Sequence, residues 1–196
     1  MNKNDLRFIR TEENLKNALL ELLETSPVSA VSITQICHQA GCSRNAFYQH
    51  HETKEELYDL IMKDTVQTIQ SSCLAMTDDP AKMDEVLIEK YIHRLLEVID
   101  TRRKEITAFL KSSSTFSDVL CNSLYETMIE QDLRITGKED LDPQTKLMTM
   151  YICSGITAFI RQWLIENPLP LSEAQKTLDQ CTRDIMRRTA DRLYIE

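Results

Sequence analysis

The stretch that most constrains this chain is residues 31–57, VSITQICHQAGCSRNAFYQHHETKEEL. It carries its own helix punctuation. Ser32 and Gln35 have the spacing of a capping box, in which two side chains satisfy free backbone N–H groups of a first helical turn. Ile33, Ile36, Cys37 and Ala40 fall on one buried stripe of a short helix. Gly41 stands where a helix ends in the left-handed conformation, which glycine adopts without a Cβ clash. Ser43 is placed to cap a second short helix, SRNAFYQH, and Thr53 with Glu56 forms a further box before a third. Helix, glycine turn, helix is the helix-turn-helix pattern, whose second helix enters the DNA major groove.

The side chains of that second helix suit the task. Ala46 and Phe47 can face inward, which leaves Arg44, Asn45, Tyr48 and Gln49 outward. Arginine fits the O6/N7 edge of guanine, Asn and Gln fit the edge of adenine, and Ser43 can donate or accept. Tyr48 and Lys54 suit phosphate, as does the helix N-terminus near Lys54. No acidic residue occurs from 26 to 51, although the chain as a whole carries a net charge of −8. Residues 1–60 hold six Lys/Arg against nine Asp/Glu (6 − 9 = −3), so binding has to rest on specific contacts and dimer avidity over a small electrostatic background.

Here the chain resembles a known family. R-T-x-x-x-L-x-x-A-L-x-x-L from Arg10 to Leu22, then V-S-I-T-x-I-x-x-x-A-G-x-S-R-x-x-F-Y-x-H and K-x-E-L, is similar to the DNA-binding domain of the TetR family of transcriptional regulators. The match covers about the first third of the chain, with several motif elements in order at the right spacing. The resemblance implies a DNA face of Ser32, Thr34, Ser43, Arg44, Asn45, Tyr48, Gln49, His50 and Lys54. Arg10, with Lys3 and Arg7, stands near the start of the first helix, where family members touch phosphate. His51 departs from the pattern, standing where the family has an apolar core residue, and this bears on how tightly the second helix is seated.

The rest of the chain reads as helices between sparse joints. Glycine occurs only at 41, 137 and 155 and proline at 27, 80, 143, 168 and 170, and no alternating strand pattern is present. The expected fold is all-α with about nine helices. Beyond the helix-turn-helix, helices are expected over residues 5–24, 54–73, 83–100, 103–111, 116–135, 145–167 and from 172 onward, the last opened by a third S-x-x-Q box at Ser172 and Gln175. The expected organisation is a DNA-binding domain over 1–53, a connecting helix over 54–73, and a ligand-binding and dimerisation domain over 74–196.

In that last domain the penultimate helix has Met150, Ser154, Gly155, Ala158 and Gln162 on one face, and the final helix offers Leu178, Cys181 and Ile185. A glycine inside a helix costs about 1 kcal/mol against alanine and marks a close approach of another backbone. The resemblance implies that these two helices pair between subunits of a homodimer. It also implies an apolar pocket for an unknown small-molecule effector. Tyr91, Phe109, Phe116, Tyr125, Met128, Met148 and Tyr151, with Phe159, are the candidate lining, and plain core is the simpler reading for most of them.

Other functions find little support in the sequence. There is no glycine-rich phosphate loop, nucleophile elbow or paired catalytic motif, so no catalytic residue and no cofactor is expected. Cys37, His38, Cys42, His50 and His51 lack zinc-site spacing, and no metal ligand is assigned. Cys42 is the better redox candidate among them, because a helix N-terminus and Arg44 nearby would lower its pKa. No apolar run reaches the length of a membrane span and MNKNDLRF lacks a signal-peptide core, so no membrane partner and a cytoplasmic location are expected. The expected function is a regulator that binds a palindromic double-stranded DNA operator as a homodimer, modulated by a small molecule. The alternative is a protein-interaction module or co-regulator of the same fold with weak or lost DNA binding.

Overall fold

The computed structural model describes residues 6–73 and 85–194, apart from the side chains of 73, 85–88, 186, 190 and 192–194. Lys3, the expected break at 77–80, and the side chains of Ile88 and Leu193 lie outside that description. Among the described residues there are nine α-helices and no strand: α1 Leu6–Leu23, α2 Ile33–Ala40, α3 Arg44–His50, α4 Lys54–Cys73, α5 Glu85–Thr101, α6 Arg103–Ser112, α7 Phe116–Thr136, α8 Pro143–Arg161 and α9 Leu171–Tyr194. A 3-10 turn, Val28–Ala30, precedes α2, and a π turn, Gln162–Glu166, follows α8.

The helix starts and stops follow side-chain chemistry. The Ser32–Gln35 capping box on α2 is complete: Gln35 N–H donates to Ser32 Oγ at 3.3 Å, and Ser32 N–H donates to Gln35 Oε1 at 2.9 Å. Gly41 ends α2 at φ 64°, and Cys42 N–H reaches back to the Cys37 carbonyl at 3.0 Å. Ser43 caps α3 by accepting from Ala46 N–H at 3.1 Å. At Thr53 the box is split: Glu56 N–H donates to Thr53 Oγ1, but the Glu56 carboxylate accepts from Glu52 N–H. The box expected at Ser172 does not form. The helix begins at Leu171, the Pro170 carbonyl accepts from Glu173 and Ala174 N–H, and Gln175 instead donates to the His93 carbonyl. Asp142 caps α8, accepting from Gln144 and Thr145 N–H with Pro143 at the first helical position, a start two residues earlier than expected. The π turn then closes with Asn167 N–H donating to the Gln162 carbonyl, five residues back.

The chain divides into two compact units, residues 1–65 with 104–114, and residues 66–103 with 115–196. The first takes in the start of α4 and most of α6, which a boundary at residue 53 leaves outside. Its core joins Leu15, Leu19 and Leu23 of α1, Ile36 of α2, Phe47 of α3, Leu57 and Ile61 of α4, and Ile106 and Phe109 of α6. Leu60, also on α4, is 43% exposed. The second unit packs α5 on α9, α7 on α8, and α8 on α9. Leu95, Ile99, Leu120, Ile156, Ile160 and Trp163 are fully buried there. The Trp163 indole N–H donates to the Leu169 carbonyl at 2.9 Å, and the Arg103 guanidinium lies 4.5 Å from its ring centre.

Candidate nucleic-acid interface

Phe47 is completely buried and anchors α3, so the residues around it on the helix are turned to the outside. Arg44, Asn45, Tyr48 and Gln49 are all exposed, as are Ser32 and Thr34 at the start of α2, Ser43, and Arg10 on α1. Arg44 and Tyr48 sit one turn apart and meet: Arg44 Nη2 donates to Tyr48 Oη at 3.4 Å, and the guanidinium lies 6.0 Å from the ring centre. That hydrogen bond, and then the charge of Tyr48, push the Arg44 pKa further up, so it stays a cation at any working pH. A shallow groove of about 610 Å³ runs beside this pair, lined by Ser32, Thr34, Arg44, Tyr48, Thr53 and Lys54 together with Glu52 and Glu55. Its polar side chains can donate to phosphate, while its two glutamates repel it.

Two residues that the resemblance sends to the DNA face are turned elsewhere. The His50 side chain is only 3% exposed; its ring stacks on Phe8 at 3.8 Å, and Nδ1 donates to Glu12 Oε2 at 2.9 Å. Lys54 donates from Nζ to the carbonyls of Val28 and Ser29 in the 3-10 turn and of Val31 just after it. Its three N–H groups therefore have three partners inside the protein, and the side chain is 17% exposed. An ammonium so held secures the turn that leads into α2, and a phosphate contact would have to displace a carbonyl.

His51 is buried, with Nε2 2.9 Å from the same Glu12 oxygen that takes His50. The position behaves as a core site although its residue is polar, because Glu12 on α1 supplies the acceptor. Burial pushes the Glu12 carboxyl up, but the hydrogen bond and charge of His51, the hydrogen bond of His50 and the charge of Lys16 outweigh it and leave the group below the ordinary glutamate value. The α1–α3 seating thus contains a carboxylate bridging two histidines, which the sequence reading missed: Glu12 stands 38 and 39 residues from its partners. Cys42 also corrects an expectation. Burial first, and then Cys37 beside it, raise its pKa, the opposite of the lowering that the helix N-terminus and Arg44 were expected to bring.

In the second unit, Leu147, Tyr151, Ser154, Gly155 and Ala158 of α8 and Gln162 just after it are exposed, with Met150 half-buried. Leu147 and Tyr151 are 71% and 67% exposed, unusual for large apolar side chains within a helix. A groove of about 430 Å³ lies between this face and α9, lined by Tyr151, Ser154, Gly155, Phe159, Leu178, Cys181, Thr182 and Ile185. The candidate ligand-lining residues do not gather in the same way. Phe109 belongs to the first unit, where its ring meets Tyr58 edge-on at 5.2 Å. Tyr151 points outward, Tyr91 and Phe116 are buried, and Tyr125, Met128 and Met148 are half-buried, with the Cys153 thiol 3.5 Å from the Met128 sulfur.

Residues 16–61 match the family described as bacterial regulatory proteins, tetR family. Over 75 residues the chain is 33% identical to the HTH-type transcriptional regulator YxbF of Bacillus subtilis (strain 168), a stretch that is 38% of this chain and 18% of that protein. The chain therefore spans less than a fifth of that relative's length. Two solved structures are similar in fold. A tetR-family transcriptional regulator from Streptomyces coelicolor has a TM-score of 0.66 at 18% identity, covering 93% of this chain and 90% of that one. A TetR transcriptional regulator from Streptococcus agalactiae 2603V has a TM-score of 0.63 at 17% identity, covering 91% and 97%. No helix among the described residues is long and apolar enough to cross a membrane. Residues 16–61 thus match the tetR family of bacterial regulatory proteins, and the all-α fold that carries them is similar to that of solved TetR-family regulators.

Proposed function

We propose that this protein is a cytoplasmic regulator, not an enzyme, that binds a palindromic DNA operator as a homodimer and is modulated by a small molecule. The observation that carries the reading is the outward row Arg44, Asn45, Tyr48 and Gln49 on a short helix capped by Ser43 and anchored by Phe47. Those are the side-chain types that read base edges in the major groove. The exposed apolar face of α8 and the groove beside α9 support pairing of two copies there. A dimer reads two half-sites about 34–36 Å apart, so an effector that favours one conformation of residues 83–166 need change the spacing only slightly to release DNA.

The test is affinity, measured by fluorescence anisotropy against a selected palindrome and a scrambled duplex over a salt series. Wild type is expected to prefer the palindrome. Arg44→Ala should cost about 1–3 kcal/mol per half-site and relax selectivity at one base position. Equal, weak binding of wild type to both duplexes would remove this reading and leave an interaction module of the same fold.

A further inference from the structure

Glu89 and His93 lie one turn apart on α5, and Asp179 faces them from α9. His93 Nε2 is 2.8 Å from Asp179 Oδ2 and 4.0 Å from Glu89 Oε1, and the three donor atoms all lie within 4.8 Å of one another. Ligands on one ion at bond lengths of about 2.0–2.2 Å stand roughly 3–3.5 Å apart. Glu89 is half-exposed, so rotation of its side chain is enough to reach that spacing. A second observation points to the same place. Asp179 is 6% exposed, and its other oxygen, Oδ1, is buried with no hydrogen-bond partner. A leftover acceptor on a buried carboxylate is costly, and a cation relieves it. Gln175 Nε2, donating to the His93 carbonyl at 3.2 Å, holds α5 and α9 together beside these groups.

We propose that Glu89, His93 and Asp179 bind a divalent first-row transition-metal ion that ties α5 to α9. One imidazole nitrogen with two carboxylates is a mixed nitrogen–oxygen set, suited to zinc, manganese or iron(II) and unlike the thiolate sets that select copper(I). The proton that Nε2 now donates to Asp179 leaves for solvent or moves to Nδ1, and the nitrogen lone pair goes to the metal. The three protein ligands leave further coordination positions to water. The ion would brace α9, which carries Leu178, Cys181 and Ile185 on the proposed dimer face. That regulatory consequence rests on the proposed function, whereas the site itself does not.

The experiment is calorimetric titration of chelator-treated full-length protein with zinc and with manganese, without DNA. Manganese avoids the cysteines, which compete for zinc. One ion per chain is expected, with affinity at least about tenfold lower in His93→Ala and reduced in Glu89→Gln, whose exposed side chain can change without disturbing the fold. Cobalt substitution should give no thiolate charge-transfer band. Two results would overturn the site: no binding of either ion at millimolar concentration, which would leave a hydrogen-bonded clamp between two helices, or binding unchanged in both variants. Ion binding without operator binding would sink the regulator reading alone, and operator binding without ion binding would sink this site alone.

Discussion

At the scale of the residue, Glu12 does the most with the least: one oxygen accepts from both His50 and His51, 2.9 Å away in each case. Its carboxyl is held below the ordinary glutamate value in the folded state. A depressed acid stabilises the fold above the unfolded value, about 4.3, and that contribution is lost as pH falls through the lower folded value. Glu12→Ala should therefore lower stability near neutral pH by about 1–3 kcal/mol, since it strands two buried ring nitrogens. Urea unfolding from about pH 7 to about pH 3 should show a flatter acid limb for the variant than for wild type. Lys54 carries the second expectation. Its three carbonyl partners make it a structural residue, so Lys54→Met should cost about 1.5–3 kcal/mol in thermal unfolding. An unchanged melting curve would return Lys54 to the solvent-facing role that its place in the sequence motif suggests. The sequence made the outward set on α3 legible, because period and capping are local. It hid the partners of His50, His51 and Lys54, because these lie 23 to 39 residues away.

At the scale of the element, α8 shows what a glycine in a helix can mean. A Cβ built on Gly155 meets nothing within 4 Å among the described residues, so none of them explains the glycine. In the proposed dimer, the close approach that glycine allows is made by the second copy. Gly155→Leu is expected to leave the monomer as stable as wild type while weakening the dimer by about 1–3 kcal/mol through overpacking. Sedimentation velocity over a dilution series reads this directly, and a variant that stays dimeric at the wild-type limit would move the interface elsewhere. The caps show the reach of local reading. The Ser32–Gln35 pair forms because nothing else competes for it, whereas at Ser172 the Pro170 carbonyl takes the first N–H groups and Gln175 is drawn to His93. The end of α8 was likewise hidden: the π turn carries Trp163, whose partners Arg103 and the Leu169 carbonyl lie outside the helix.

At the scale of the whole molecule, the all-α class was readable from helical periodicity and the few glycines and prolines, but the partition of the chain was not. The linear reading cuts the chain at 53/54 and 73/74, on either side of the connecting helix. The folded chain instead passes between its two units at 65/66, 103/104 and 114/115. The cause is specific: Ile106, Ala108, Phe109 and Leu110 of α6 are buried in the first unit, with Phe109 against Tyr58 and Glu105 accepting from the Thr65 hydroxyl at 2.9 Å. Those contacts span 40 residues or more of intervening chain, further than any motif reaches. This has a consequence for synthesis. A ribosome that has just made residue 65 has not yet made the residues that complete that core, and at about 5–20 residues per second they follow seconds later. The core of the first unit is therefore complete only after residues 104–114 have been made. A translation product that stops short of residues 104–114 lacks that core, whereas one that has passed them contains every residue of it although the second unit is unfinished.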